Sequence, residues 1–535
     1  MPLHGVPCHH RCGAGVRARE KGGDLVNLGL SFLASVERDP KHLAIVDGAL
    51  RLTYEAWLAR IRHVAGGLRR MGLKPGERLL VVLKNGEPMT TLYWACQTIG
   101  AVFAPVNWRL GRNEFRYVMQ DAAPVAVAFE QASAALGELA EVEGLRTIGV
   151  GVSAPHRAAY DSLLEAPASE GEFVSDDNVS LLLYTSGTTG QPKGVPRSHR
   201  AERAAAVAHV AQNRYGRDEV TLGVMPLYHT MGVRSLIAMT LLNGTFVAMP
   251  QFRPREALEV VERERVTNLY LAPTLYFDLV HLPEIATRDL SSLRKLGYAG
   301  APMSPSLVER CFDVFRPDVF VNHYGSTEIY TFSIYDKLRE KPACAGRAGL
   351  NERLRVVRIG AQGADDLVPP GETGEIVVEL TSDEAFQGYR NRPDADTRAI
   401  RGGWYFTGDL GRLDEDGDLF VVGRVDDMII SGGENVFPVE VEDALARHPD
   451  VGRVAVIGVS DERLGQRIVA YVEPAARVPS AEGLDRFCIG SGMTPFKRPR
   501  EYVFVKNLPL SPSGKILRTK LRSGEFELLA QESMR

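Results

Sequence analysis

Residues 184–195 read Tyr-Thr-Ser-Gly-Thr-Thr-Gly-Gln-Pro-Lys-Gly-Val, and no other stretch restricts the chain's fold so strongly. An apolar run, Leu181 to Leu183, leads into it, and a basic helical pattern begins at His199. In α/β proteins a strand opening into such a loop holds phosphates, because glycine lets backbone N–H groups approach phosphate oxygens. The hydroxyls of Thr185, Ser186, Thr188 and Thr189 add neutral donors, Gly187 and Gly190 free the backbone, and Lys193 adds a compact positive charge. It is not the Walker loop: Gly194 follows the lysine where Ser or Thr is required, and Pro192 precedes it. A cluster of Gly, Ser and Thr also serves as a plain solvated loop. A lysine at this spacing behind a buried-strand run favours phosphate.

The remainder supplies the rhythm of a parallel sheet. Trp57, Ile61, Val64 and Leu68 fall at helical spacing, with Thr53 as N-cap and Gly72 as the stop. Strand-like runs at 79–83, 101–106, 220–225, 245–249, 269–271, 293–299 and 319–323 alternate with helical patterns at 88–99, 233–242, 254–265 and 304–315. From about residue 353 the pattern turns to alternating strands, with a hairpin turn at Asp416-Gly417. Past Arg424 a small α+β unit begins. At 535 residues the chain exceeds one core, and about three to four ordinary units are expected.

Composition excludes several classes. A net charge of -4 argues against nucleic acid as the main partner. No apolar run reaches the ~20 residues that cross a bilayer. Six scattered cysteines read as reduced, cytoplasmic thiols. The Cys8-His9-His10-Arg11-Cys12 cluster matches no closed metal pattern, and residues 1–24 are expected to form a disordered extension. The acidic run 414–418 has its glycine too early for a calcium loop.

Further motifs fall at strand ends, where α/β folds place ligands. Tyr324-Gly325-Ser326-Thr327-Glu328 offers a flat ring, hydroxyls and a carboxylate suited to magnesium. Tyr405-Phe406-Thr407-Gly408-Asp409 offers a carboxylate for the two hydroxyls of a ribose, with Arg424 to assist. Ser431-Gly432-Gly433-Glu434-Asn435 and Ser511-Pro512-Ser513-Gly514-Lys515 complete the set. Alone, each carboxylate reads equally as a cap or a solvated charge.

In this order the five motifs resemble the adenylate-forming superfamily of acyl-CoA synthetases, luciferases and peptide-synthetase adenylation domains, over residues 25 to 525. Met225-Pro226-Leu227-Tyr228-His229, the run from Gly423 to Asn435 and Phe496-Lys497-Arg498-Pro499 are most similar to aryl-CoA ligases of the chlorobenzoate and benzoate type. The resemblance implies an α/β fold. A large N-terminal domain of layered sheets with a small β-barrel-like part spans 25–425. A small mobile α+β domain spans 426–535 and hinges at Asp426. It implies ATP, Mg2+ and coenzyme A, and a carboxylate that attacks the α-phosphate of ATP before a thiol displaces AMP. Two anions meet in the first step, and unit charges 4 Å apart interact by about 4 kcal/mol at an effective dielectric of 20. Cations must therefore sit there.

By the same resemblance Lys515 bridges carboxylate and α-phosphate, Glu328 holds the magnesium and Thr327 takes the α-phosphate. The 184–195 loop takes the β- and γ-phosphates. Asp409 and Arg424 bind ribose, while Tyr324 and Gly300-Ala301-Pro302 frame adenine. Gly432 and Gly433 line the pantetheine tunnel, where a side chain on Gly433 would block close approach. Phe496, Arg498 and Arg500 hold the nucleotide of coenzyme A, against the alternative of a solvated basic stretch. Leu464 stands where a tryptophan would help to sandwich that adenine.

The acyl pocket is counted onto His229, Thr230, Met231, Tyr270, Ala299, His323, Gly325, Tyr330 and Thr331. Bulky Tyr270, Met231 and Tyr330 make it short. His323 and Tyr330 require hydrogen-bond partners, which a small aromatic or heteroaromatic acid such as hydroxybenzoate, benzoate or 2-furoate would supply. Protein or water satisfying His323 is the open alternative. The expectation is an aryl-CoA ligase; an aliphatic acyl-CoA synthetase and an enzyme loading a carrier protein remain alternatives. No nucleic acid or membrane is expected as a partner, and a homodimer is left open.

Overall fold

The computed structural model describes residues 27–534 apart from 153, 155–156, 186–190 and 511–515. The expected N-terminal extension, the centre of the glycine-rich loop and Lys515 thus lie outside the described residues.

Two largely parallel sheets form the bulk. In the nine-stranded sheet, strands Leu43–Asp47, Thr245–Ala248, Val220–Gly223, Asn268–Leu271, Lys295–Ala299 and Val319–Tyr324 run parallel side by side, with antiparallel strands at both edges. The seven-stranded sheet is parallel up to Val179–Thr185, whose partner Lys193–Ser198 returns antiparallel. The helix Glu87–Thr98 is buried along every residue except Pro88, which is why its sequence shows no polar face. Its Trp94 packs on Phe32 with ring centroids 4.9 Å apart. Parallel strands buried on both faces need such continuous apolar runs.

A five-stranded antiparallel sheet from 354–424 answers to the expected barrel-like part, and a six-stranded sheet is built wholly from residues 429–533. The helix starts read from sequence hold: Thr53 and Ser304 cap Tyr54–Arg70 and Pro305–Phe315 through their side chains.

Two local details come from the structure. After Thr185 the chain turns back in a hairpin in which Thr185 pairs with Lys193, and the helix expected from His199 follows that second strand as His199–Gln212. Pro196 escaped the strand pattern because this strand lies at the sheet edge, where a missing N–H costs little. The Asp416-Gly417 turn is the tip of a longer loop. Strand pairing ends at Leu413 and Leu419, and Gly417 takes φ +80. Lys341 explains its acidity, because its ammonium lies 2.6, 2.7 and 2.6 Å from Asp414, Asp416 and Asp418. A lysine already occupies the place a metal would take.

One buried cation ties these parts together. Arg197, on the edge strand, and Glu202, on the next helix, pair at 2.8 Å with both side chains fully buried. The arginine's Nη1 also donates to the carbonyls of Glu328 and Glu384, both at 2.8 Å. Its guanidinium covers the ring of Tyr330 at 4.1 Å. Removing one partner of a buried pair strands a charge, so Arg197→Met is expected to cost about 3–5 kcal/mol. Adding Glu202→Leu should recover only part, since two carbonyls stay without their donor. Urea midpoints of the three proteins check this; full recovery in the double variant would refute the tie.

Candidate active site

Every motif singled out by sequence in the nine-stranded sheet follows a strand's C-terminal end. His229 lies past Val220–Gly223, Gly300 ends Lys295–Ala299, and Tyr324 ends Val319–Tyr324. Parallel strands place those ends on one edge, which brings distant residues together. Register refines this: Ala299 pairs with His323, and Tyr270 pairs with Gly297.

On that edge Glu328 is buried at 5 % exposure. Its Oε1 accepts a 2.6 Å bond from the hydroxyl of Tyr389. Lys193 places its ammonium 4.1 Å from the centre of the same ring. Burial pulls the Lys193 pKa down and the negative Glu328 opposes that. The cation therefore stands in poorly screened surroundings, where its field is stronger than in water. Tyr389 carries none of the motif signals, so sequence reasoning missed it. It is braced by Arg390, whose N–H donates to the Gly194 carbonyl at 2.9 Å and whose Nε donates to the Asp121 carbonyl at 2.7 Å. Thr185 Oγ1 is buried without a partner.

A second cluster joins Tyr324, Asp409 and Arg424. The tyrosine hydroxyl donates to Asp409 Oδ2 at 2.6 Å and Arg424 donates to Oδ1 at 2.8 Å. Asp409 and Arg424 face each other across paired strands. Gly408, at φ +71, would put a Cβ 3.0 Å from Arg424, so the turn and the arginine's approach both require glycine. Gly300 and Pro302 are exposed, and Ala301 is half-buried.

The counted acyl pocket divides in two. His229 caps the helix Thr230–Leu242 without using its side chain, and its Nε2 is buried and unpartnered. Burial lowers its pKa to about 4, so it is neutral near pH 7. Met231, Tyr270, Ala299, His323, Tyr330 and Thr331 are buried, while Thr230 is half-buried. Arg234, absent from the sequence reading, holds this group. It donates to Tyr270 Oη, to Thr331 Oγ1 at 2.5 Å and to the Tyr330 carbonyl at 3.4 Å. His323 is half satisfied: Nε2 meets Asn213 Oδ1 at 3.2 Å, and Nδ1 meets nothing.

The remaining predicted residues lie beyond these strands. Asp426 is exposed in the short turn Val425–Asp427, whereas Asp427 is bound to Arg522 at 3.0 Å. Gly432 and Gly433, at φ +63 and +88, form an exposed hairpin tip, which adds a backbone reason for glycine. Arg498 is not a solvated charge: its Nη1 spans both oxygens of Asp485 at 2.9 and 2.8 Å. Arg500 and Phe496 are exposed. Leu464 accepts the Gly432 N–H at 2.8 Å through its carbonyl. Thr327 is half-buried beside Glu328.

Gly325 sets the path of the Glu328 loop, since a Cβ there would lie 2.2 Å from the Tyr330 carbonyl oxygen. Gly325→Ala must shift the loop, and a loss of about 1–3 kcal/mol in stability is expected. An unchanged urea midpoint would contradict it.

Comparison with known proteins gives the family and the fold. Residues 32–390 match the family described as AMP-binding enzyme, and residues 440–515 match the AMP-binding enzyme C-terminal domain. The chain is 34% identical over 495 residues to a feruloyl-CoA synthase of Amycolatopsis sp, covering 90% of this chain and 96% of that protein. It is 32% identical over 498 residues to a 4-chlorobenzoate–CoA ligase of Arthrobacter sp, covering 91% and 93%. The solved structure of the anthranilate CoA ligase AuaEII with anthranoyl-AMP superposes with a TM-score of 0.86 at 25% identity, covering 94% of this chain and 97% of that one.

Proposed function

We propose that this chain, which belongs to the AMP-binding enzyme family and is an acid–CoA ligase, activates a small aromatic or heteroaromatic carboxylic acid with ATP and passes the acyl group to coenzyme A. The observation that carries this is the shared strand edge. The Lys193–Tyr389–Glu328 and Tyr324–Asp409–Arg424 clusters stand there beside a wall of Tyr270, His323 and Tyr330.

A carboxylate oxygen of the acid attacks the α-phosphorus, and pyrophosphate leaves with the bonding pair. The sulfur of coenzyme A then attacks the acyl carbon, AMP leaves with the carbon–oxygen pair, and the thiol proton passes to solvent. Lys193 meets the β- and γ-phosphates together with residues 185–190. Asp409 keeps a lone pair on each oxygen for the ribose hydroxyls while Tyr324 and Arg424 fix its plane. The Tyr324 ring and residues 300–302 take the adenine, and Thr327 takes the α-phosphate. Glu328 suits Mg2+, which neutralises phosphate charge when bound, because Oε1 is oriented by Tyr389 and Oε2 makes no bond among the described residues. Lys515 supplies the cation at the meeting carboxylate and phosphate. The neutral ring of His229 borders the acyl group, next to Met231.

The unit from residue 426 rotates about Asp426 for the second step, bringing Gly432 and Gly433 to the pantetheine chain. Asp426 itself is exposed, while Asp427 of the same turn is held to Arg522 at 3.0 Å. Phe496 and Arg500 meet the nucleotide of coenzyme A, and Arg498 does so only through the face that Asp485 leaves open. No helix of the described residues is long and apolar enough to cross a membrane. Cys96, Cys311, Cys344 and Cys488 are free and buried, which accords with a reducing cytoplasm.

The test is pyrophosphate release from ATP and Mg2+ with a panel of acids, without and with coenzyme A. Release stimulated by coenzyme A, with a ring acid ahead of hexanoate and octanoate, is the expected result. A lead for the aliphatic acids would reassign the substrate, and indifference to coenzyme A would point to a carrier protein. A second prediction isolates the carboxylate. Tyr389→Phe frees Glu328 to rotate and should raise the Mg2+ concentration for half-maximal release about tenfold or more. The same Mg2+ dependence as the parent enzyme would rule this out.

A further inference from the structure

Two rings of the counted pocket, Tyr270 and His323, meet a third buried ring that no motif contains, His209. His209, on the helix His199–Gln212, stands 4.6 Å from Tyr270 and 5.3 Å from His323 between ring centroids, and Tyr270 lies 5.3 Å from His323. His209, Tyr270 and His323 are 0 %, 2 % and 1 % exposed. Burial lowers the pKa of both histidines well below the usual range, with the Arg234 charge acting in the same sense, so both are neutral.

Asn213 assigns their protons. Its Nδ2 donates to the His209 carbonyl at 2.8 Å, which fixes the orientation of the amide. The same Nδ2 donates to His209 Nδ1 at 2.9 Å, so that nitrogen is a lone pair and the proton is on Nε2. On its other side Asn213 Oδ1 accepts from His323 Nε2 at 3.2 Å, so His323 carries its proton there and its Nδ1 is a lone pair. The two ring nitrogens left over, His209 Nε2 and His323 Nδ1, are buried with no hydrogen-bond partner among the described residues, as is Nε of Arg234. The amide thus leaves one lone pair and one N–H unpaired, and Arg234 adds a second unpaired N–H. A buried polar group left so is destabilising, which favours a ligand that completes its bonds.

The set selects its ligand. A second carboxylate would supply no proton for His323 Nδ1, and a halogen or plain ring would leave all three groups unpaired. A hydroxyl both donates and accepts. We propose that this wall recognises a hydroxyl on the ring of the acid, with His323 Nδ1 accepting its proton and His209 Nε2–H and Arg234 Nε–H donating to its oxygen. This deepens the proposed function and rests on it. Gly297 belongs to the device: a Cβ there would lie 2.8 Å from the Tyr270 ring and 3.0 Å from Asn213 Oδ1.

The experiment compares kcat/KM for 2-, 3- and 4-hydroxybenzoate and 4-hydroxycinnamate with benzoate and cinnamate, in the full-length enzyme with coenzyme A. A site built to bond a hydroxyl rejects the analogue lacking it, and one hydroxylated acid should lead its parent by on the order of 100-fold or more. In His323→Leu that ratio should fall at least tenfold; a merely structural histidine would slow both acids alike and leave the ratio unchanged. Should that variant not fold, Asn213→Ala, which releases the two tautomers, carries the same expectation. Equal use of parent and hydroxylated acids by the unmodified enzyme would overturn the proposal, because a trapped water would then fill the role. If no acid is turned over, the proposed function has failed, and the thermal shift given by each acid with ATP decides separately. A shift from a hydroxylated acid alone supports the recognition, and equal or absent shifts refute it.

Discussion

The contact on which the rest depends is the buried arginine at position 197. In a medium of low dielectric a guanidinium needs a charge partner and acceptors, so those that meet Nε and Nη1 here are held to a narrow geometry, while Nη2 makes no hydrogen bond among the described residues. Here they come from three separate stretches: Glu202 on the following helix, and the carbonyls of Glu328 and Glu384. Because the strand carrying Arg197 begins at Lys193, fixing the arginine also fixes where the lysine emerges. Because Arg197 holds the backbone of residue 328, the side chain of Glu328 is left to point at Tyr389. The nearby Phe386 N–H reaches the same Glu328 carbonyl at 2.9 Å. A structural charge thus helps to set where Lys193 and Glu328 stand relative to the Tyr389 ring between them.

The same interior uses polar groups sparingly and for position. Arg234 spans the helix Thr230–Leu242, the Tyr270 strand and the Tyr330–Thr331 segment. Asn213 links two neutral histidines on different elements. Such buried networks are costly when incomplete, which makes the unpaired nitrogens on the acyl side informative about what they await. The other half of the chemistry is made differently. The 432–433 tip is exposed and built from two glycines of positive φ, and Asp426 makes no ion pair among the described residues. The proposed anion-binding groups thus sit among buried, paired side chains, whereas the proposed coenzyme A groups at 432–433 sit at an exposed tip.

Much of this was readable from the chain alone. Alternation of apolar runs and amphipathic helices gave the parallel sheets, and the glycine-rich stretch, Glu328, Asp409 and Arg424 were singled out as candidates because their residue types suit phosphate and ribose chemistry; that Asp409 and Arg424 face each other across paired strands was not readable. The hairpin at 185–193 was not readable, because Pro196 suppresses the strand signal and edge pairing is a property of the sheet. Nor were Tyr389, Arg197, Arg234, His209 and Asn213. Each sits in an ordinary-looking segment, and its role comes from neighbours distant in the chain, as for Arg197 and Glu384, 187 residues apart.

Sequence by itself determined the inventory: the fold class, the order of motifs, the charged and hydroxylated side chains that a nucleotide requires, and the glycines whose backbone angles no other residue adopts cheaply. Tertiary structure decided which of those groups remain free. Arg498, basic and exposed on paper, is occupied by Asp485, while the two histidines, unremarkable on paper, are locked by one amide into complementary roles. The physical reason is that availability for a ligand depends on whether burial has already been compensated within the protein, and compensation is a matter of distance in space.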